Sequence, residues 1–280
     1  MLLRIQRALG QLIPHIWMSP QNTYNAESVV EKYASDTDLQ KPEQTILNLI
    51  KESIKKGRML DVGVGAGRTT HHFAPLAREY IGIDYAHNML EACRRKFHPL
   101  PSNVSFIRRD ARDLSIFGDG YFDFVLASYN CFDGFSHLDR IRILKEIKRI
   151  CKSGGLVSFS SHNLLFAENY FKIDWWLNLA NFESRKSLRF LSAIYRYAWV
   201  LVLNDSREEI ARQDYVMIHD GAHNFGHKLY YIKPWKELEQ LAQLGFNNTR
   251  IFSLNGNEIE RGSDLSRATD CWLYYLCTTR

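Results

Sequence analysis

The stretch RMLDVGVGAGRTTHHFAPLAREYIGID, residues 58–84, decides the fold. Met59, Leu60 and Val62 make a short apolar strand, and Gly63, Gly65 and Gly67 make the turn after it. A helix-compatible stretch opens at about Arg68, and a second strand, Tyr80 to Ile83, ends on the carboxylate of Asp84. Strand, glycine turn, helix, strand and terminal acid are the parts of a nucleotide-binding βαβ unit. Glycine suits the turn because, without a Cβ, it takes left-handed dihedrals and lets a ligand approach the backbone. The acid at the end of the second strand is placed to accept hydrogen bonds from two ribose hydroxyls.

Two ligands compete for such a unit. A dinucleotide takes the spacing GxGxxG, its pyrophosphate held by the turn amides and the helix N-terminus. Here the spacing is GxGxG, and Asp61 stands just ahead of the first glycine. A carboxylate aimed at the turn repels pyrophosphate but suits a ligand with an ammonium group. S-adenosylmethionine is such a ligand, with adenine and ribose but a zwitterionic tail and a sulfonium in place of phosphates. The stretch resembles motif I of the class I S-adenosylmethionine-dependent methyltransferases. That resemblance implies S-adenosylmethionine as cofactor, held by Asp61, Gly63, Gly65, Gly67 and Asp84. The other readings are an NAD-dependent oxidoreductase, which conflicts with Asp61, and a non-catalytic binding protein of the same fold.

Composition fits a folded globular protein. With 45% hydrophobic and 13% aromatic residues, the 280-residue chain can fill a large core. Its net charge of +5 is spread along the sequence and argues against a nucleic-acid partner, which needs a clustered basic face. Cys93, Cys131, Cys151, Cys271 and Cys277 include no CxxC pair and read as free thiols of a reducing compartment, the cytoplasm. No apolar run reaches bilayer-spanning length, so stable membrane insertion is not expected.

Residues 1–20 suggest an amphipathic helix to about Leu12, resting on its own domain, a partner chain or a membrane surface. Two further helices precede the glycine turn, the second with Pro42 in its first turn and Gly57 at its end. In the resembling family such helices cover the cofactor, and Tyr24 and Tyr33 then either close the pocket or serve as core aromatics. After Asp84 a helix carries Met89, Leu90, Cys93 and Phe97 at helical spacing. The resemblance implies that Tyr85 and Met89 line the adenine. A third strand is expected to end at Asp110, and the resemblance makes Asp110 with Ala111 the adenine contact, with Asp113 as the alternative acid.

Residues 122–126 read as a buried strand, and the polar turn behind it, with Ser128, Asn130 and Asp133, resembles motif IV. Open α/β sheets bind ligands beyond the carboxyl ends of their strands, so this turn is expected to face cofactor (Ser128) and acceptor (Asn130, Asp133). An amphipathic helix with Ile141, Leu144, Ile147 and Ile150 follows, then a KSGG turn and a fifth strand ending at Ser161, His162 and Asn163. Residues 164–227 break the pattern: aromatic, too long for a loop, first helical and then strand-like between Arg212 and His219. They are expected to form a cap over the substrate site. Helix and closing strands at 228–280 complete the family-like sheet.

Methyl transfer from a sulfonium is an in-line displacement that needs alignment above all, and a base only where the acceptor arrives protonated. His162 reads equally as base or as strand packing. The run HDGAHNFGH adds His219, Asp220, His223 and His227, whose imidazoles titrate near working pH and whose acid can orient one of them. A metal site there is the weaker reading, because the glycines imply a loop and the spacing matches no ligand signature.

The sequence thus predicts an α/β, doubly wound, Rossmann-like, seven-stranded and mostly parallel sheet whose last strand is antiparallel. Residues 1–57 supply helices over the cofactor, 58–163 the binding core, 164–227 the cap and 228–280 the end of the sheet. The expected reaction is methylation of oxygen or nitrogen on a small or mid-sized acceptor: a sugar, natural-product intermediate, short peptide or carboxylate. Catalytic candidates are His162, His219, Asp220 and His223, with Tyr24, Tyr33, Asn130, Asp133, Asn163 and His227 toward the acceptor. A homodimer would form through the N-terminal helix or the cap.

Overall fold

The apolar run ahead of the glycine turn forms the centre of a sheet. In the computed structural model, which describes residues 20–179, 186–260, 262 and 264–280, it is the strand Arg58–Val62 (β1). β1 lies between Glu79–Asp84 (β2) and Phe122–Ala127 (β4), parallel to both. Val104–Arg108 (β3) pairs outside β2, and Cys151–Asn163 (β5) pairs with β4, both in parallel register. Trp272–Thr279 (β10) then runs antiparallel between β5 and Phe246–Phe252 (β8). The order β3-β2-β1-β4-β5-β10-β8 is the expected seven-stranded sheet with its last strand reversed.

Three further strands enlarge it. Glu258–Ile259 (β9) edges β8. Tyr215–Ile218 (β6) and Leu229–Ile232 (β7) form an antiparallel hairpin, and β7 joins β5 in parallel at His162 and Asn163. The last β4 partner of β5 is Ala127, opposite Phe159, so β7 takes the flank of β5 that β4 leaves open. The sheet therefore grows beyond the carboxyl ends of its central strands.

The central strands bury both faces, as parallel strands do. Along β1, Leu60 and Val62 join one core with Ile143, Leu144 and Phe159, while Met59 joins the other with Ile46, Ile50 and Tyr80. Burying each such aliphatic side chain stabilises by about 1.5–3 kcal/mol. Pro20–Asn25 (α1), Glu27–Ser35 (α2) and Lys41–Ile54 (α3) precede the sheet. α3 carries Pro42 in its first turn and a capping box in which Glu43 accepts from the Gln40 amide at 2.6 Å. The amphipathic helix expected before Leu12 lies outside the described residues.

Several local expectations are corrected. The helix expected from Arg68 is a single turn, Thr70–Phe73 (α4): Ala74 keeps helical dihedrals, but Pro75 has no amide hydrogen to continue the ladder. His87–Lys96 (α5) follows β2. β3 ends at Arg108, two residues short of Asp110, whose carbonyl instead accepts the Asp113 amide in a turn. His137–Ile150 (α6) buries Arg140, Ile143, Leu144 and Ile147, so its inner stripe runs through Ile143 instead of Ile141. The KSGG segment belongs to β5: register slips between the pairs Phe122–Cys151 and Phe124–Leu156, a bulge in which Gly154 takes φ 76°.

The described residues between 164 and 232 build a third core. Leu164–Ala167 (α7), Ile173–Leu179 (α8), Lys186–Leu203 (α9) and Arg207–Arg212 (α10) gather Tyr170, Phe171, Trp176, Val200, Ile210, Ile218 and Tyr231. Pro234–Gln243 (α11) then returns the chain to β8.

Candidate active site

The turns that leave β1, β2 and β4 at their carboxyl ends enclose a cavity of about 670 Å³. Gly63 and Gly65 line it, and Asp84, Tyr85 and Met89 face it from the next turn. Asp110 and Ala111 follow from the segment after β3, and Ser128 and Asn130 from the turn after β4. Tyr24 of α1 and Tyr33 of α2 close it from the N-terminal side. Eleven of the residues singled out in the sequence thus meet at one cavity, with Tyr24 and Tyr33 packed ring to ring at 6.0 Å.

Asp84 is held by backbone alone. Its Oδ2 accepts from the Gly65 amide at 3.0 Å and its Oδ1 from the Ala86 amide at 2.8 Å. No cation pairs with it among the described residues, and burial pushes its carboxyl up to about 6 against those hydrogen bonds. Each oxygen keeps acceptor capacity toward the cavity. Asp110 differs: burial raises it, but the Arg112 guanidinium, 2.7 Å away, outweighs this and holds the carboxyl below its usual range.

Other expected residues lie elsewhere. Asp61 is buried behind the turn, where Thr69 Oγ1 and Tyr80 OH both donate to its Oδ2 at 2.5 Å. It braces β1 against α4 and is not among the cavity-lining residues. Gly67 is a packing position: at φ 83°, a Cβ would stand 2.6 Å from the Phe97 ring. Asn163 caps α7 by accepting the Leu165 amide and ties to the Ala268 and Asp270 carbonyls, again away from the cavity.

The histidine run is dispersed. His219 is buried and clamped through its backbone by Asn204, with burial pulling its imidazole down to about 4. Asp220 accepts from Tyr231 OH at 2.7 Å, His227 packs 6.3 Å from the Tyr24 ring, and the His223 side chain lies outside the described residues. No cluster of metal-ligating side chains occurs among the described residues.

His162 and Asp133 form the strongest polar constellation. Asp133 Oδ2 accepts from both the backbone amide and Nδ1 of His162, each at 2.7 Å, and Ser161 Oγ donates to Oδ1 at 3.1 Å. Arg140, fully buried, bridges Asp133 at 2.8 Å and Glu237 at 2.6 Å. Burial opposes the Arg140 charge, but its two carboxylates outweigh burial and keep it protonated. With Nδ1–H committed to Asp133, Nε2 is an acceptor and lies 3.3 Å from Asn130 Nδ2. The His162 ring itself packs on Tyr231 at 4.7 Å and on Trp272 at 6.0 Å.

Sequence reading missed Arg140, Glu237 and the lattice behind Ser128. There Glu43 accepts from both Arg68 nitrogens at 2.5 and 2.6 Å and from Ser128, while Tyr274 donates to Gln40 at 2.9 Å. One signal was available for Arg140: it falls on the inner stripe of α6, where an unpaired cation would not be stable.

Residues 59–155 match the family model described as a methyltransferase domain. The demethylmenaquinone methyltransferase of Staphylococcus saprophyticus is 35% identical over 80 residues, covering 28% of this chain and 32% of its own length. The phosphatidylethanolamine N-methyltransferase of Cereibacter sphaeroides is 34% identical over 111 residues, covering 38% and 51%. The chain thus spans about half or less of these curated relatives. In fold, it resembles the S-adenosylmethionine-dependent methyltransferase structure from Mesorhizobium loti, with TM-score 0.56 and 15% identity over 85% of this chain and 97% of that one. Residues 59–155 thus carry a methyltransferase-domain match, and the chain has the fold of S-adenosylmethionine-dependent methyltransferase structures.

Proposed function

We propose that this protein transfers a methyl group from S-adenosylmethionine to oxygen or nitrogen of a small or mid-sized acceptor. The observation that carries the reading is Asp84, a cavity-facing carboxylate with spare acceptor capacity and no cationic partner among the described residues. Two ribose hydroxyls satisfy such a group, whereas a pyrophosphate would be repelled by it. The fit continues along the cavity: Gly63 and Gly65 allow close backbone approach, and Tyr85, Met89 and Ala111 offer surface for a planar base.

When bound, the cofactor supplies a methyl group on a sulfonium, which the acceptor's lone pair displaces from sulfur. The chain's own part is to hold the two partners in line and keep water out. Asn130 follows β4 at the cavity, Asp133 is fully buried and outside its lining, and His162 reaches the cavity through Asn130. In this reading His162 is therefore a positioning residue more than a base. The aromatic core that Leu164 opens and Tyr231 closes packs on the His162 ring, and none of its residues is among those that line the cavity. The named relatives methylate a quinone precursor and a phospholipid amine, so their names support methyl transfer and leave the acceptor to this chain's own geometry.

Calorimetric titration with S-adenosylhomocysteine tests the reading. Micromolar binding with no response to NADH is expected; a response to NADH alone would replace it with an oxidoreductase.

A further inference from the structure

Asn130 ends a buried chain of polar groups and has one atom left over. Glu237, Arg140, Asp133 and His162 follow one another at 2.6, 2.8 and 2.7 Å, and His162 Nε2 then meets Asn130 Nδ2 at 3.3 Å. Asp133 only accepts, so it fixes the proton on Nδ1, and Nε2 in turn fixes which end of the Asn130 amide it meets. The remaining atom, Asn130 Oδ1, is buried and has no hydrogen-bond partner. An orphaned buried carbonyl costs about 1–3 kcal/mol, and this one belongs to a cavity-lining residue.

The backbone there is also held under strain. Tyr129 and Asn130 both take left-handed dihedrals, with φ 57° and 58°. Asparagine tolerates that region but tyrosine does so at a cost, and such strain collects at functional sites. Ser160 Oγ accepts the Asn130 amide at 2.7 Å, and the Asn130 carbonyl accepts the Asp133 amide at 2.9 Å, so the turn is fixed.

The surrounding walls are aromatic. Tyr24, Tyr33, Tyr85 and Tyr129 all line the cavity and contact one another nearly at right angles: 6.0 Å for Tyr24–Tyr33, 6.3 Å for Tyr24–Tyr85 and 6.2 Å for Tyr33–Tyr129. Tyrosine faces attract cations and do nothing for anions. Asp84 is given to the cofactor ribose, Arg112 and Arg109 are paired with Asp110 and Asp113, and Arg108, exposed among the lining residues, donates to the Tyr85 carbonyl.

From these features we infer that the acceptor is an amine, with an N–H bonded to Asn130 Oδ1 and its cationic form drawn in by the tyrosine walls. The inference rests on the methyltransferase reading and narrows its acceptor. A carboxylate or phosphate would meet, in Asn130 Oδ1, an oxygen that only accepts. The ammonium gives one proton to solvent, and the freed lone pair forms the nitrogen–carbon bond. As the carbon–sulfur bond breaks, its electron pair stays on sulfur, and the methylated product sheds its surplus proton to water.

The test uses the whole chain saturated with S-adenosylhomocysteine and three probes of one size: propylamine, 1-propanol and propionate. Thermal shift and calorimetry should show propylamine binding roughly tenfold tighter than the alcohol, the scale of one desolvated cation–π contact, and no response to propionate. Asn130→Leu should bind S-adenosylhomocysteine as the native chain does and lose the propylamine response. Binding of S-adenosylhomocysteine together with a preference for propionate or propanol, or with silence to all three, overturns the amine assignment alone. Propylamine binding unchanged in Asn130→Leu overturns the role of Oδ1. Failure to bind S-adenosylhomocysteine would instead remove the methyltransferase reading beneath it.

Discussion

Asp133 Oδ2 holds His162 twice, accepting from its ring Nδ1 and its backbone amide at the same distance, 2.7 Å. A single carboxylate oxygen thus sets the imidazole tautomer and pins the end of β5 at the point where β7 joins it. The acid lies in the turn after β4, so the turn, the strand end and the added hairpin are one unit. Tyr230 completes it by donating its amide to the Asp133 carbonyl at 2.7 Å.

Breaking that unit should cost the fold as well as the site. Asp133→Ala leaves Arg140 buried with one carboxylate fewer, and removing one member of a buried pair costs about 3–5 kcal/mol. Urea unfolding should show a loss of that order. Asp133→Asn keeps the shape and lets Nδ1 lose its fixed proton, so it should unfold later than Asp133→Ala while still lowering turnover. Equal midpoints for Asp133→Ala and the native protein would mean that the chain of charges contributes nothing to stability.

The three glycines of the first turn should separate into packing and ligand positions. A Cβ on Gly67 would meet the Phe97 ring at 2.6 Å and Cys93 Sγ at 3.0 Å, whereas one on Gly65 finds nothing nearer than Tyr33 at 3.8 Å. Gly67→Ala adds overpacking to left-handed strain and should destabilise by about 2–4 kcal/mol, against about 1 kcal/mol for Gly65→Ala. Affinity for S-adenosylhomocysteine should show the reverse ranking, because Gly65 lines the cavity. A larger stability loss at Gly65 would contradict the packing argument.

The parallel core was legible because its strands are short apolar runs bounded by glycine and acids, a local signal. The placement of Asp84, Tyr85, Met89, Asp110 and Asn130 at the cavity was legible as well, since Asp84 ends a strand and each of the others follows one within a few residues. Asp61 misled because the sequence gives its place before the glycines but not its direction; Thr69 and Tyr80 turn it away. The cap hairpin and the Glu237–Arg140–Asp133 chain were hidden for another reason. Glu237 and Arg140 are separated by 97 positions, and only the folded sheet brings them together.

Removing the Asp84 carboxylate should weaken cofactor binding without unfolding the protein. Its two partners are backbone amides that solvent can satisfy once the cavity opens, so stability should hold. Asp84→Ala is expected to lower affinity for S-adenosylhomocysteine at least about tenfold, about 1.4 kcal/mol. Unchanged affinity by calorimetry would reject the ribose assignment.

The same carboxylate should make binding depend on pH. Burial raises Asp84 to about 6 in the unligated protein. Ribose hydroxyls donate to the ionised form, so binding favours ionised Asp84 and pulls its pKa down. Affinity is then fully present above the unligated value and is lost as pH falls through about 6, by up to about tenfold per pH unit. Asp61, also raised to about 6 by burial, titrates in the same range but behind the turn, away from the cavity. Asp84→Asn therefore separates the two: its affinity should be lower at neutral pH and nearly flat on acidification. A variant that keeps the native slope would assign the titration to Asp61 and leave Asp84 without its proposed role.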